Sequence, residues 1–206
     1  MAPHVPGGPS GLLARALAGP LQAAVGQPVV VANRTGANGI VAAQRVMRQA
    51  PDGHTLFIAA SGIMTVAAMI NARSPFDPVQ DFTRPTVAIG APNPMVVNSA
   101  VPASTAAEPV HWVKANPRRA SYGSSGTGSS EHLGMDLFKL RARTDAAHVP
   151  HPGGGAAVTD LVAGTLHLAP LNIATVAPHV AGGRLRASAA GGTQAPRPAA
   201  LGFHRG

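Results

Sequence analysis

The segment whose residue types best suit a chemical role is a glycine- and serine-rich run at residues 123–130. A strand is predicted to end just before it, at Tyr122, and a helix to begin just after it, at Glu131. A loop in that position presents backbone N–H groups and hydroxyls at a helix N-terminus, which favours a bound anion. The run lacks the lysine of a phosphate-binding P-loop and the glycine spacing of a dinucleotide motif. A flexible Ser/Gly turn is the alternative interpretation, and the residue types leave both open.

Two further loops also stand ahead of predicted helices. The Gly-Gly-Pro-Ser turn at residues 7–10 precedes leucines that recur every four residues, and Ser10 suits a helix cap. Ser61-Gly62 follows a predicted strand and precedes another helix. Most Gly-Gly turns are only turns, so each loop alone is a weak signal. Three such loops in one chain favour a site for a small anion.

Residues that could perform hydrolysis are present without the arrangement that hydrolysis needs. Several serines and nine histidines permit a catalytic triad on paper. The nucleophile elbow Gly-x-Ser-x-Gly is missing, because residues 123–126 lack its spacing and Thr127 stands between the next two glycines. We therefore predict a protein that is not an enzyme.

Two of the histidines and Arg34 each allow two interpretations. No two histidines are four residues apart and there is no cysteine, so neither a metal nor any other cofactor is expected. His132 and His151 lie where either could face a ligand, or could form structural hydrogen bonds. Arg34 could clamp a carboxylate, but a surface or bracing role is the preferred interpretation.

The net charge of +8 raises the question of a nucleic-acid partner. The cations are scattered singly or in pairs, and the excess arises because the chain has only eight carboxylates. Without a basic block or aromatic platforms, nucleic acid is not an expected partner, and a small anionic ligand fits the charge at least as well.

Hydrophobic periodicity predicts an α/β protein with alternating strands and helices, the order typical of a parallel sheet. Gly19-Pro20 is expected to kink or restart the first helix. In such sheets ligands bind where strands end and loops lead into helices. The predicted strands cover residues 29–31, 55–60, 95–97, a segment ending at 122, 147–149, 166–171 and 185–189; the predicted helices begin after Ser10 and cover 40–49, 62–72, 105–116, 131–143, 156–163 and 174–180.

The order of several motifs along the chain resembles one known family. These are Pro-Gly-Gly-Pro-Ser at 6–10, Gly-Gln-Pro-Val-Val-Val at 26–31, Asn-Arg-Thr-Gly-Ala at 33–37, Ala-Pro-Asp-Gly-His-Thr-Leu at 50–56, Phe-Asp-Pro-Val at 76–79, Tyr-Gly-Ser-Ser-Gly-Thr-Gly-Ser at 122–129 and His-Val-Pro at 148–150. Over about residues 5–192 the chain resembles the substrate-binding proteins of tripartite tricarboxylate transporters, the TctC or Bug family.

The resemblance implies a periplasmic-binding-protein-like (Venus flytrap) fold with two α/β lobes, which holds a small carboxylate between lobes through loops at strand ends. It implies no catalysis, and delivery of a mono-, di- or tricarboxylate to membrane permease subunits. Carried over by position, the ligand-binding candidates are Gly7, Gly8, Ser10 and Ser61 in the first lobe, and Gly126, Thr127, Gly128, Ser129, Pro150, His151, Gly153 and Asn172 in the second.

The chain also departs from the family pattern. Gly11 stands where the family usually has Asp, Ala32 where Glu is usual, and His151 where an aromatic is usual. We expect a chain truncated at both ends, with an incomplete first lobe at residues 1–98 that lacks its first strand, a second lobe at 99–186, and a return segment with a disordered tail at 187–206. The family implies a periplasmic location; no signal peptide is recognised at the start, which indicates the cytoplasm if that start is genuine.

The favoured function is capture of a small carboxylate for a membrane transporter. A non-functional truncated remnant of such a receptor is the alternative, and a polyanion or nucleic-acid binder is the third hypothesis.

Overall fold

Two units, Met1–Val87 and Ala88–Gly206, make up the chain in the computed structural model, which describes residues 1–4, 8–66, 69 and 74–191. Gly7 and the predicted tail from residue 192 onward lie outside the described residues, as does most of the second half of the helix predicted at 62–72. The lobe limits predicted from sequence remain a prediction. The strand at residues 93–98, placed at the end of the first lobe, pairs within the sheet of the second unit.

The second unit is built on one mixed sheet of five strands. They are β1 (Asn93–Asn98), β2 (Ser121–Ser124), β3 (Ala147–Pro150), β4 (Leu168–Pro170) and β5 (Leu185–Gly191), in the spatial order β3-β2-β4-β1-β5. β2 runs parallel to both β3 and β4, whereas β1 is antiparallel to β4 and β5. The expectation of a parallel sheet is therefore wrong for β1. A strand–helix–strand order predicts parallel pairing when the two strands are neighbours in the sheet. β1 and β2 are not neighbours, because β4 lies between them.

The described helices fall close to their predicted positions. They are α1 (Pro9–Val25), α2 (Ile40–Met47), α3 (Ala107–Ala115), α4 (Ser130–Ala142), α5 (Gly154–Ala163) and α6 (Ile173–Ala181), with a 3₁₀ turn at Ala37–Gly39 and a π-helical turn at Gly62–Val66. The restart expected at Gly19-Pro20 does not occur, and α1 continues through Pro20. A proline inside a helix removes one backbone hydrogen bond and crowds the carbonyl four residues earlier, and α1 tolerates that cost at this exposed position.

Small aliphatic residues fill the core of the second unit on both faces of its sheet. Met95 and Val97 of β1 pack with Leu168 of β4, together with Val113 and Met135 from α3 and α4. The intervening positions face the other way and pack with residues of α5 and α6, namely Val96, Ala157, Val158, Leu161, Ala169 and Val176. Because side chains alternate along a strand, one sheet buries two separate apolar layers. Because helices cover both faces of the sheet, the loops lie at the ends of the strands.

The first unit has a small arrangement of extended segments around the chain start. Ala2 donates its N–H to Ala32 O and accepts from Arg34 N, and Met1 O accepts from Ile58 N. The strands predicted at 29–31 and 55–60 are not formed. Instead Val29 N donates to Gln22 Oε1, Met1 pairs with Leu56 O and Ile58 N, and Ala60 O accepts from Ile63 N. Val30 is 84% exposed, so the expectation of a buried strand there is wrong. A separate cluster of Ala43, Ile63 and Phe76 forms the core of this unit.

None of the helices in the described part of the chain is long and apolar enough to cross a membrane.

Candidate functional site

Three loops of the second unit lie at one edge of its sheet. Register aligns Ser124 at the end of β2 with Pro150 at the end of β3, and β4 runs parallel to β2 on its other side. The segments that leave these strands, 125–129, 151–153 and 171–172, therefore lie along the same carboxyl edge. All eight ligand-binding candidates of the second lobe fall in or beside them: Gly126, Thr127, Gly128, Ser129, Pro150, His151, Gly153 and Asn172. The structure thus places them together, as expected of ligand sites in α/β sheets.

The loop at residues 125–129, here called the Gly/Ser loop, is shaped by its own hydrogen bonds. Gly126 (φ 135°) and Gly128 (φ 79°) adopt backbone angles that residues with a Cβ rarely take. Ser129 Oγ caps α4 by accepting from His132 N at 3.2 Å, and Ser129 N donates to Gly126 O at 3.1 Å. The loop was expected to present backbone N–H groups, but those of Gly126, Gly128 and Ser129 already have partners within the protein.

A carboxylate of the chain itself also lies at the N-terminus of α4. Glu131 is buried in the first turn and accepts from Ser125 Oγ at 2.8 Å. A negative side chain there already compensates the positive end of the helix. An external anion at this helix would therefore meet a group of its own charge.

The N-terminus of α5 differs from that of α4 in this respect. Gly153 precedes it without a capping side chain, and Gly154 and Gly155 open the helix with no acidic residue in the first turn. The first N–H groups of a helix have no intrahelical acceptor, and the helix dipole makes that end attractive to a negative charge. Of the helix N-termini at this edge, α5 is the one without a cap or an acid, since Asn172 Oδ1 caps α6 by accepting from Ala174 N at 3.0 Å.

His151 is engaged within the protein. Its Nε2 lies 2.9 Å from Asp160 Oδ2 on α5, and its Nδ1 lies 3.0 Å from Val149 O. The ring therefore ties the loop after β3 to α5. This is the structural hydrogen-bonding alternative considered for His151, while a role against a ligand remains a prediction.

Two stacked imidazoles lie beneath the Gly/Ser loop, and the sequence identified only one of them as a candidate. The ring centroids of His132 and His148 are 4.1 Å apart at 18°, and Tyr122 stacks on His148 at 4.8 Å. Burial, and next the Coulombic effect of the nearby His132, lower the pKa of His148. His148 was noted only as part of a motif, and the alternation of β3 was the one signal that could have placed it on the same face as Tyr122.

Ser124 and His148 form a contact that superficially resembles a catalytic pair. Ser124 Oγ lies 2.7 Å from His148 Nε2, and it also accepts from Gly126 N at 3.2 Å. Ser124 is fully buried, so its hydroxyl cannot reach a substrate. Within the described residues, no three His, Asp or Glu side chains come together as metal ligands do.

The candidates of the first unit lie at helix starts. Gly8 is the N-cap of α1, Ser10 is buried in the first turn of that helix, and Ser61 directly precedes the π-helical turn. Ser61 is exposed, and its carbonyl accepts from Thr65 Oγ1 at 2.7 Å. Arg34, the alternative carboxylate clamp, donates its backbone N–H to Ala2 O.

A broad depression of about 720 Å³ lies away from these loops, at the other end of α4. Its cations are poor anion ligands where they are already paired, and Lys139 Nζ lies 3.3 Å from Asp136 and 3.4 Å from Asp145. We therefore prefer the strand-end loops as the anion site. The depression, here called the α4 groove, is lined by Lys114, Pro117, Asp136, Lys139, Leu140, Arg143, Thr144 and Asp145.

Helices on both faces of a sheet and anion-compatible loops at the carboxyl ends of its parallel strands are typical of α/β proteins that bind a ligand at the strand ends. Comparison with known proteins identifies the family. The chain belongs to the tripartite tricarboxylate transporter family receptors (TctC), whose family model matches residues 13–202. This is a family of receptors, not of enzymes.

Individual relatives support the same assignment. BugT of Bordetella pertussis is 32% identical over 188 residues, which are 91% of this chain and 58% of that protein. An R. palustris protein solved with adipate has a TM-score of 0.91 at 32% identity, covering 98% of this chain and 67% of that one. MatC of Rhodopseudomonas palustris, solved with bound malate, has a TM-score of 0.86 at 25% identity, covering 98% of this chain and 71% of that one. The chain spans about half the length of the curated relatives it matches.

Proposed function

We propose that this chain is the carboxylate-binding receptor of a tripartite tricarboxylate transporter. The observation that carries the proposal is the meeting of three loops at the carboxyl edge of β3, β2 and β4, beside an uncapped helix N-terminus. Membership of the receptor family supports it, as do structural neighbours that hold adipate and malate. Adipate and malate both carry two carboxylates, so dicarboxylates are the first ligands to test.

The chemistry of this edge suits an anion that must be released again. Backbone N–H groups at the start of α5 and hydroxyls of the Gly/Ser loop donate hydrogen bonds without adding a formal charge. Withdrawing two opposite charges from water carries a larger desolvation cost than hydrogen-bonding one anion to neutral donors. We assign the ligand carboxylate first to the N-terminus of α5 around Gly153, with Thr127, Ser129 and Asn172 as flanking donors. Gly8, Ser10 and Ser61 remain the candidates of the first unit.

The transporter context completes the proposal. We further propose that the chain delivers its ligand to membrane permease subunits, as the family's description suggests, and that it acts in the periplasm, since a structure 35% identical to it is described as a periplasmic transporter. The net charge of +8 favours encounter with an anionic ligand through long-range attraction that salt weakens.

Isothermal titration of the folded chain tests the proposed function. Adipate, malate and citrate are titrated in parallel, with dimethyl adipate as the uncharged control of matched length. We expect saturable heat from at least one carboxylate and none from the diester, because the proposed contacts are made to the negative oxygens. A sample with a cooperative unfolding transition that gives no heat with any of the three acids contradicts the proposal.

A further inference from the structure

The Gly/Ser loop is held at two points by the pair of stacked imidazoles. Gly128 N–H donates to His132 Nδ1 at 3.2 Å, so this ring nitrogen is an acceptor and carries no proton. His148 Nε2 lies 2.7 Å from Ser124 Oγ, which in turn accepts from Gly126 N. The Gly128 bond requires an unprotonated Nδ1, whereas the Gly126 N–H keeps Ser124 Oγ as its acceptor in either state of His148.

We propose that His132 is a positioning residue that controls the Gly/Ser loop according to its protonation. As the neutral ring, it accepts the Gly128 N–H bond and keeps that donor occupied. Once His132 is protonated, Nδ1 becomes a donor, and the Gly128 N–H loses its acceptor and becomes available to an anion. The effect on carboxylate affinity rests on the proposed function, whereas the effect on the loop does not.

Protonation of His132 adds a hydrogen at Nδ1, and the positive charge that results is balanced on the opposite side of the ring. Asp136 Oδ2 lies 3.5 Å from His132 Nε2, so a carboxylate is present to balance the charge. The opposite nitrogen faces the Gly128 N–H, which repels a protonated Nδ1. A single proton therefore keeps the contact to Asp136 and breaks the contact to the loop.

The other charged and titratable groups around His132 and His148 determine whether carboxylate affinity rises or falls as the pH falls. On α4 these are Glu131, Asp136 and Lys139, which lies 3.3 Å from Asp136. Burial, and next the nearby Asp136, raise the pKa of the Tyr122 hydroxyl on β2, so it stays neutral. His148 on β3, with His151 beyond it, opposes a second positive charge, since the centroids of His132 and His148 are only 4.1 Å apart. The pair takes up one proton, and carboxylate affinity rises as the pH falls.

Amide and imidazole NMR of the ligand-free chain tests the loop directly. Between about pH 8 and 5.5, we expect the Gly128 amide resonance to move with the same midpoint as the His132 ring signals. In His132→Asn, whose Oδ1 replaces the Nδ1 acceptor but cannot titrate, the Gly128 amide should stay fixed. The ring signals of His111, exposed on α3, serve as the internal control. A Gly128 amide that does not respond while His132 titrates overturns the proposal, and this wild-type measurement needs no variant to fold.

Adipate affinity supplies the second readout. Comparison of wild type with His132→Asn cancels the protonation of adipate itself. We expect wild-type affinity to rise about threefold to tenfold more than that of the variant from pH 7.5 to 5.5, since a pKa change of one unit is tenfold in affinity. Identical pH profiles in the two proteins contradict control by His132. Absence of adipate binding at every pH contradicts the proposed function instead, while the amide titration still decides whether His132 controls the loop.

Discussion

Replacing Gly39 with alanine should lower the free energy of unfolding by about 3 kcal/mol. Gly39 has φ 94°, and a Cβ built on it would lie 2.3 Å from Ile63 Cδ1 and 2.9 Å from Pro3 Cβ. Ile63 is 1% exposed in the core of the first unit, so it has little room to move. The positive φ costs a residue with a Cβ about 1–2 kcal/mol, and the forced overlap adds about 1–3 kcal/mol.

Gly53→Ala is the matched control for this prediction. Gly53 has a similar φ of 83°, yet a Cβ there would have nothing within 4 Å. Its cost should be only the backbone component, about 1 kcal/mol, reduced by the smaller conformational freedom of unfolded alanine. Urea unfolding followed by circular dichroism measures both variants, and hydrogen exchange in α2 localises the effect. If Gly39→Ala and Gly53→Ala lie within about 0.5 kcal/mol of each other, the close approach of Gly39 to Ile63 is wrong.

Gly155→Asp should weaken dicarboxylate binding by about tenfold to a hundredfold while making the chain more stable. Gly155 is exposed in the first turn of α5, and a Cβ there has nothing within 4 Å. The new carboxylate would occupy the positive end of the helix and repel the ligand. Two like charges about 5 Å apart at an effective dielectric constant of about 30 repel each other by roughly 2 kcal/mol. The same charge stabilises the helix by about 0.3–1 kcal/mol, and removing glycine adds a similar amount.

Gly155→Asn separates charge from shape in this experiment. Asparagine has nearly the size of aspartate and keeps the backbone N–H groups, so affinity should remain close to that of the wild type. Calorimetric titration with adipate or malate gives the affinities, and thermal unfolding gives the stabilities. Equal losses of affinity in the two variants would indicate a steric effect, and unchanged affinity in Gly155→Asp would remove the α5 N-terminus from the site.

Local signals in the sequence were sufficient to predict where the second unit's helices lie and where its strands end. The run from Glu131 predicted the start of α4 to within one residue, and the structure adds Ser129 as its cap. The direction of β1 could not be predicted, because it depends on pairing with β4 and β5 far away in sequence. The backbone pairing of Ala32, Arg34 and Ile58 also depends on a distant partner, the chain start at Met1–Ala2.

The site was predicted as a set of loops, but not which donors in it are free. Gly and Ser types indicated an anion loop, yet Gly126, Gly128 and Ser129 use their N–H groups internally. The N-terminus of α5, with three successive glycines at 153–155, gave the weaker sequence signal and has the better geometry. The stack of His132 on His148 joins residues sixteen positions apart, so it requires β2, β3 and α4 to be assembled.

Mapping of backbone amides during titration with adipate shows directly whether a carboxylate binds at the carboxyl edge of β3, β2 and β4. We expect the largest chemical-shift changes on residues 127–129, 153–155 and 172. Saturable changes confined to the α4 groove, around Lys114 and Arg143, with none at the strand ends, would contradict it.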